Sequence, residues 1–198
     1  APSEAIDCGN SGTTMRLLAG ILAAQRFQTV LVGDASLSSR PMARIASPLR
    51  LRGARIEGKL DPRRKGDITA PLVIGPLPEP HVLSATRFDS PIPSAQVKSA
   101  LLLSGLYADG STIVSEPLVS RDHSERMLGA LGVPLARIGA VVELDGHAFS
   151  GSLPGFAGRF GTLVHAVVAQ HLGHAQAVVG EDRAPARVLH EAVRLEVA

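Results

Sequence analysis

The sequence predicts an α/β domain whose helices and strands pack closely through small side chains, and three observations predict it. Stretches of helical period alternate with short β-branched stretches as far as about residue 146. Hydrophobic residues make up 45% of the chain while aromatics supply 3% and Trp is absent, so the core must be built from Ala, Val, Ile and Leu. Two helix exits share one rhythm, Leu49–Arg50–Leu51–Arg52–Gly53–Ala54–Arg55–Ile56 and Leu128–Gly129–Ala130–Leu131–Gly132–Val133–Pro134–Leu135, which points to an internally repeated αβ unit.

Each element follows from its own pattern. Behind a Gly9–Asn10–Ser11–Gly12 turn, Met15, Leu17, Leu18, Ile21 and Leu22 fall at helical spacing, predicting a helix over 13–24. The β-branched run 29–32 reads as a buried strand ending at Gly33–Asp34. A second helix is expected from Pro41, a favoured first-turn proline, towards Gly53, with a kink at Pro48. Arg55–Ile56–Glu57 reads as a strand, and 58–80, rich in Pro, Gly and charge, as loops and short strands. A third helix begins at Ser94 and runs to an Asp109–Gly110 turn, followed by a strand over 112–115. A fourth starts near Asp122, aligns Met127, Leu128 and Leu131, and stops at Gly132; 141–144 is a final strand. The texture changes beyond residue 150, where 161–172 and 184–197 each fit a helix, so the reading divides the chain into a lobe over 1–149 and a divergent segment over 150–198.

At 198 residues and 19% charge, the chain fits one domain of ordinary size, with no compositional case for global disorder. A net charge of +2 without a Lys/Arg stripe interleaved with aromatics argues against nucleic-acid binding, and Arg63–Arg64–Lys65 beside Pro62 and Gly66 reads as a solvated loop. The sole cysteine, Cys8, excludes an intramolecular disulfide and fits a small buried residue in a cytoplasmic protein. No apolar run approaches the roughly 18–20 residues of a membrane span. Ala1 is not an initiator Met, which fits a processed chain or part of a longer one. His165, His171, His174 and His190 lack Cys, Asp or Glu at ligand spacing, so no metal is expected.

Three polar helix starts and one Arg carry the chemistry. Gly9 to Thr14 offers a glycine-rich turn, unpaired N–H groups and the Asn10 and Thr13 side chains to an anion, with Arg16 one turn on; the bland alternative is a Ser11 or Thr13 cap. Arg40, between Ser38–Ser39 and Pro41, suits bidentate grip of a carboxylate or phosphate. Ser94–Ala95–Gln96 with Lys98 forms the second start. Ser120–Arg121–Asp122–His123 forms the third, where capping by Ser120 with an acidic first turn is a sufficient structural reason, and no nucleophile–His–acid order emerges around His123. Repetition of one anion-suited device points to a doubly anionic substrate pair.

The residues Asp7–Cys8–Gly9–Asn10–Ser11–Gly12–Thr13–Thr14–Met15–Arg16, Gly33–Asp34–Ala35–Ser36–Leu37 with Arg40–Pro41–Met42, Pro93–Ser94–Ala95–Gln96–Val97–Lys98–Ser99–Ala100, and Ser120–Arg121–Asp122–His123 with Glu125–Arg126–Met127 resemble successive signatures of the 5-enolpyruvylshikimate-3-phosphate (EPSP) synthases. The resemblance spans about residues 5–146. It implies a lobe of βαβαββ-type repeats with helices packed inside sheets, a site in the cleft between two lobes, and transfer of a carboxyvinyl group from phosphoenolpyruvate to shikimate 3-phosphate without metal or organic cofactor. By motif, Asn10, Gly12, Thr13 and Arg40 would face phosphoenolpyruvate, with Gln96 near both ligands. Ser94, Ala95 and Arg121 would hold shikimate 3-phosphate, Ser94 on its phosphate; Lys98 and His123 receive no catalytic step.

The family's Lys–Ser pair and Arg are expected ahead of Ala1, and its acidic base in a second lobe supplied by another chain or copy, so this chain alone is expected to bind weakly and not turn over. No Gly–Asp–x–Ser–Ser–Ala segment follows residue 150, as divergence, truncation or a shifted reading frame would each produce. A non-catalytic remnant and a UDP-N-acetylglucosamine carboxyvinyltransferase are the alternatives. The Ser–Ala–Gln and Ser–Arg–Asp–His segments favour the shikimate branch.

Overall fold

Residues 4–146 are described by a computed structural model, and their order is a six-element unit written twice. The first unit comprises β1 (Ile6–Asp7), α1 (Gly12–Leu22), β2 (Thr29–Val32), a 3-10 turn at Leu37–Ser39, α2 (Ala43–Leu51), β3 (Ile56–Leu60) and β4 (Ile68–Ile74). The second comprises β5 (Leu83–Asp89), α3 (Ala95–Gly105), β6 (Ala108–Ser115), α4 (His123–Ala130), β7 (Leu135–Ile138) and β8 (Val141–Asp145). Each unit makes one four-stranded sheet, β1-β2-β4-β3 and β5-β6-β8-β7, with the first pair parallel and the other two pairs antiparallel. This is the expected βαβαββ repeat.

The helices divide by burial. In α1 and in α3, nine of eleven residues are buried, whereas α2 buries four of nine and α4 three of eight. Helices apolar all round belong in the interior, so α1 and α3 form the central layer and pack on each other. Their contact is close enough that a Cβ on Gly20 would stand 2.3 Å from the Ala100 carbonyl oxygen. No larger residue fits there without moving backbone.

The shared helix exits read from sequence are one motif in two places. Gly53 and Gly132 adopt φ of 107° and 77°. Gly53 N–H bonds Arg50 O and Ala54 N–H bonds Leu49 O, while Gly132 N–H bonds Gly129 O and Val133 N–H bonds Leu128 O. Both are Schellman closures, which need a residue in the left-handed region.

Other expectations need correction. Helix α3 stops at Gly105, and Asp109–Gly110 lies inside β6 rather than in a turn. Ser84 pairs with Asp109 and Thr86 with Thr112, so β6 carries one extra residue: Gly110, at φ 103°, sits in a β-bulge, which asks for the same residue type as a turn. Helix α2 begins at Ala43, two residues after Pro41, because Asp67 Oδ1 accepts the Met42 and Ala43 N–H groups at 3.2 and 2.8 Å; it contains Pro48 and runs on to Leu51. The stretch 58–80, read as loops and short strands, contains most of β3 and all of β4, whose seven residues make it longer than expected, with Pro71 inside β4 at an exposed position.

Cys8 is buried, and burial together with Asp7 pushes its thiol up to about 12, so it is inert at neutral pH. Among the described residues no helix is long and apolar enough to cross a membrane, and no His, Cys, Asp and Glu group could hold a metal. The division at 149/150, the helices expected over 161–172 and 184–197 and the four histidines there lie outside the described residues.

Candidate functional site

The two central helices begin side by side, and Gln96 joins them. Its amide nitrogen donates to Thr13 Oγ1 at 2.7 Å, and its carbonyl oxygen accepts from Arg16 Nη1 at 2.8 Å. Arg16 also donates through Nη2 to Pro41 O at 3.1 Å. A residue of the second repeat thereby locks onto the first turn of the first repeat's central helix, 83 and 80 positions away in sequence.

Beside this junction a second set of bonds holds the other phosphoenolpyruvate-site candidates, and the two sets come together around Gly12. Arg40 donates through Nη2 to Asn10 Oδ1 and, at 3.2 Å, to Ser36 Oγ. Asn10 in turn donates to Asp34 Oδ2 at 2.7 Å. Asp34 Oδ1 accepts the Leu37 N–H, which with the Asn10 amide holds this carboxyl below its usual range. Gly12 lies under two guanidinium groups, since a Cβ there would stand 2.9 Å from Arg16 Nη1 and 3.2 Å from Arg40 Nη1. Burial lowers the Arg16 pKa first, and repulsion from Arg40 and Arg44 lowers it further, against a smaller pull from Asp67. Crowded cations beside a glycine-opened helix start favour an incoming anion.

Arg16, which the sequence places one turn on from the glycine-rich turn, braces Gln96 and the Pro41 carbonyl. Its position four residues after Gly12, on the same helix face, was the available signal.

The shikimate 3-phosphate candidates share a pocket. Pro93, Ser94, Ala95, Gln96, Val119, Ser120 and Arg121 line a cleft of about 560 Å³ that gathers the start of α3 and the loop before α4. Ser94, Ala95, Gln96 and Arg121 thus meet in one place, and Gln96 belongs to both groups.

The three polar helix starts are not equivalent. Ser11 is fully used as a cap, its Oγ accepting Thr14 N–H at 3.1 Å and lying 2.7 Å from Thr14 Oγ1. Ser94 caps α3 only loosely, with 3.5 Å between Val97 N and its Oγ, at the limit of a hydrogen bond. Ser120 does not cap α4, contrary to expectation. Asp122 occupies that position without a side-chain bond, and Ser120 instead donates to Glu116 Oε2 at 2.7 Å. His123 opens α4 with an exposed side chain.

Beneath the pocket lies a charge cluster that the sequence did not reveal. Lys98 Nζ stands 3.0 Å from Glu116 Oε2 and 2.7 Å from Glu125 Oε1, with all three side chains buried. Glu116 Oε1 also accepts the Ser94 N–H at 2.7 Å. Burial raises the Glu116 pKa, but the bonds from Ser120, Lys98 and Ser94 outweigh it and hold the group below the usual carboxylate range. A lysine among the apolar residues that open α3 was the only sequence signal, since a buried ammonium requires a carboxylate.

Residues 1–152 match the family described as EPSP synthase (3-phosphoshikimate 1-carboxyvinyltransferase). Similar proteins named 3-phosphoshikimate 1-carboxyvinyltransferase include one from Geobacter sp. (strain M21), 51% identical over 147 residues, covering 74% of this chain and 32% of the relative. Another, from Xanthomonas campestris pv. campestris (strain B100), is 56% identical over 135 residues, covering 68% and 29%. The solved EPSP synthase from Acinetobacter baumannii superposes with a TM-score of 0.66 at 49% identity, over 73% of this chain and 31% of that one. The chain therefore spans about a third of the length of the relatives it matches. By sequence match and by fold, the chain belongs to the EPSP synthase family.

Proposed function

We propose that this chain supplies one wall of a site that transfers a carboxyvinyl group from phosphoenolpyruvate to shikimate 3-phosphate. The observation that carries the reading is the pair of hydrogen bonds made by Gln96, which couples the cationic group around Gly12 to the cleft lined by Ser94, Ala95 and Arg121. Two anions that must react with each other need adjacent sites sharing a wall. Asn10, Gly12, Thr13 and Arg40 face phosphoenolpyruvate, Ser94, Ala95 and Arg121 face shikimate 3-phosphate, and Gln96 stands between them.

In this reading the methylene carbon of phosphoenolpyruvate takes a proton while the 5-hydroxyl oxygen of shikimate 3-phosphate bonds to the neighbouring carbon and gives up its own proton. The tetrahedral intermediate then loses inorganic phosphate as a proton leaves the methyl group, restoring the double bond. The residues described here bind, orient and neutralise; Arg16 and Arg40 are placed to stabilise the anionic intermediate. Proton transfer falls to groups beyond the residues described here.

The test is calorimetric titration of the 198-residue chain with shikimate 3-phosphate, followed by phosphoenolpyruvate and by a phosphate-release assay with both. Saturable shikimate 3-phosphate binding is expected, weaker than a closed two-lobe site would give, with negligible turnover until a complementary lobe is added. Absence of saturation at millimolar ligand overturns the binding assignment, and steady-state phosphate release by the chain alone overturns the division of labour.

A further inference from the structure

Glu116 touches both segments that carry the pocket. One carboxylate oxygen accepts the Ser94 N–H at the start of α3, and the other accepts the Ser120 hydroxyl in the loop before α4, each at 2.7 Å. Ser94 and Ser120 both line the cleft. Lys98 holds this carboxylate from the interior at 3.0 Å, its own side chain 2% exposed. Glu125, on α4, lies 2.7 Å from the same ammonium, yet neither of its oxygens accepts a well-directed hydrogen bond, and it makes no bond to either pocket segment.

A single cation facing two buried carboxylates is an expensive arrangement, and apolar residues of equal volume commonly serve stability as well or better. Carboxylates are also unwelcome beneath a pocket meant for a phosphorylated ligand, unless a cation cancels them. The cluster's one inward-facing cation offsets the Glu116 charge, which leaves the two oxygens free to act as a clamp.

We propose that Glu116 is a positioning residue that sets the separation between the Ser94–Gln96 start of α3 and the Ser120–Arg121 segment, with Lys98 fixing Glu116 in place. Through that separation it governs how tightly the pocket closes on a phosphorylated ligand. The ligand half of this statement rests on the reading of the pocket as the shikimate 3-phosphate site, whereas the clamp stands on geometry alone.

The experiment uses the 198-residue chain and two isosteric variants, Glu116→Gln and Glu125→Gln, each removing one carboxylate charge facing Lys98. Amide hydrogen exchange reads the clamp, and calorimetry with shikimate 3-phosphate reads its consequence. Glu116→Gln is expected to speed exchange of the Ser94 amide, whose N–H bonds the carboxylate, by about tenfold or more and to lower backbone order parameters over 118–121, because an amide nitrogen cannot accept the bond it replaces. It is expected to weaken shikimate 3-phosphate by about tenfold as well. Glu125→Gln is expected to lower thermal stability while leaving both quantities within about threefold of the parent. A purely structural cluster would give the two variants equal effects, and that result, or unchanged exchange in Glu116→Gln, overturns the proposal. Should Glu116→Gln fail to fold, Ser120→Ala cuts one arm of the clamp with every charge retained: lower backbone order parameters confined to 118–121 support the clamp, and unchanged ones overturn it. If the parent chain shows the exchange pattern but does not bind shikimate 3-phosphate, the clamp stands and the substrate reading fails.

Discussion

Arg52 is 1% exposed, and its partners make its worth calculable. It follows α2 and reaches out of the first repeat into the second. Nε and Nη2 donate to Ser84 O at 3.1 and 2.9 Å, Nη1 to Leu101 O at 3.2 Å and Ser104 Oγ at 2.7 Å, and Nη2 also to Thr112 Oγ1 at 2.8 Å. All four acceptors are neutral, and burial presses the guanidinium pKa down to about 10, which leaves it charged at neutral pH. Its role is therefore that of a planar fork rather than half of an ion pair. Arg52→Lys keeps the charge and discards the fork. The Ser104 and Thr112 hydroxyls can re-aim, and Leu101 O keeps the Ser104 hydroxyl at 2.9 Å, so the main orphan is the Ser84 carbonyl. Ser84 is itself exposed, so water takes over part of that bonding and its loss costs about 1 kcal/mol, and burying a more strongly hydrated ammonium brings the total to roughly 2–4 kcal/mol. At about 2–4 °C per kcal/mol, the thermal midpoint falls by roughly 5–15 °C. Equilibrium urea unfolding followed by circular dichroism measures it, with a lower midpoint concentration at unchanged slope as the expected signature. Arg52→Met, which removes the desolvated charge altogether, should cost no more than Arg52→Lys. If Arg52→Lys lies within about 0.5 kcal/mol of the parent, charge alone accounts for the residue and the fork argument is wrong.

Three other outcomes follow from the site. Gly12→Ala puts a methyl group 2.9 Å from Arg16 Nη1 and 3.2 Å from Arg40 Nη1, ends of flexible side chains that can yield, so the fold survives and the anion pocket narrows. In an assembled, active form, inhibition by glyphosate should weaken about tenfold more than the Michaelis constant for phosphoenolpyruvate rises, and an unchanged ratio shows that Gly12 does not line that pocket. Gln96→Leu removes the bonds to Thr13 and Arg16, and calorimetry should show both ligands weakened by about tenfold or more; loss of only one ligand would mean that Gln96 is not shared. The folded pKa of Glu116 lies below the ordinary value of about 4.5, so its stabilisation is complete above that value and disappears as pH falls through the lowered one. Acid unfolding should thus be less steep below pH about 4.5 in Glu116→Gln than in the parent, and parallel curves would show that Glu116 contributes no linkage.

The helices were legible because their apolar spacing is set by local geometry, and the repeat was legible because a Schellman closure demands the same residues wherever it occurs. The strands were harder. In β5, Leu83 is the only fully buried residue and the alternation over 85–89 is only between exposed and half-buried positions, so the pattern is weak and its place comes from pairing with β6. Asp109–Gly110 misled because a turn and a bulge both recruit glycine for a positive φ. Gly12, Arg40 and Gln96 were recognisable within motifs, but the bonds from Arg40 to Asn10 and from Gln96 to Thr13 and Arg16 cross more of the chain than any local pattern reports. Glu116 gave no signal at all, being a single acid before Pro117.

The same residue types cap helices and bind anions, so sequence alone cannot separate the two uses; spare hydrogen-bonding capacity can. Ser11 has spent its hydroxyl on Thr14, whereas Ser94 holds its cap at 3.5 Å and retains capacity for a ligand. The difference arises from what grips each helix start. The backbone N–H of Ser94 is held by Glu116, so α3 is anchored there without calling on the Ser94 hydroxyl. The distance across the site is fixed in turn by the core, because α1 and α3 meet at Thr13 and Gln96 and again at Gly20 and Ala100. Any residue larger than glycine at position 20 would part the helices at their crossing and move Gln96 away from Thr13 and Arg16. The packing of the two repeats and the spacing of the two anion sites are for this reason one geometric constraint.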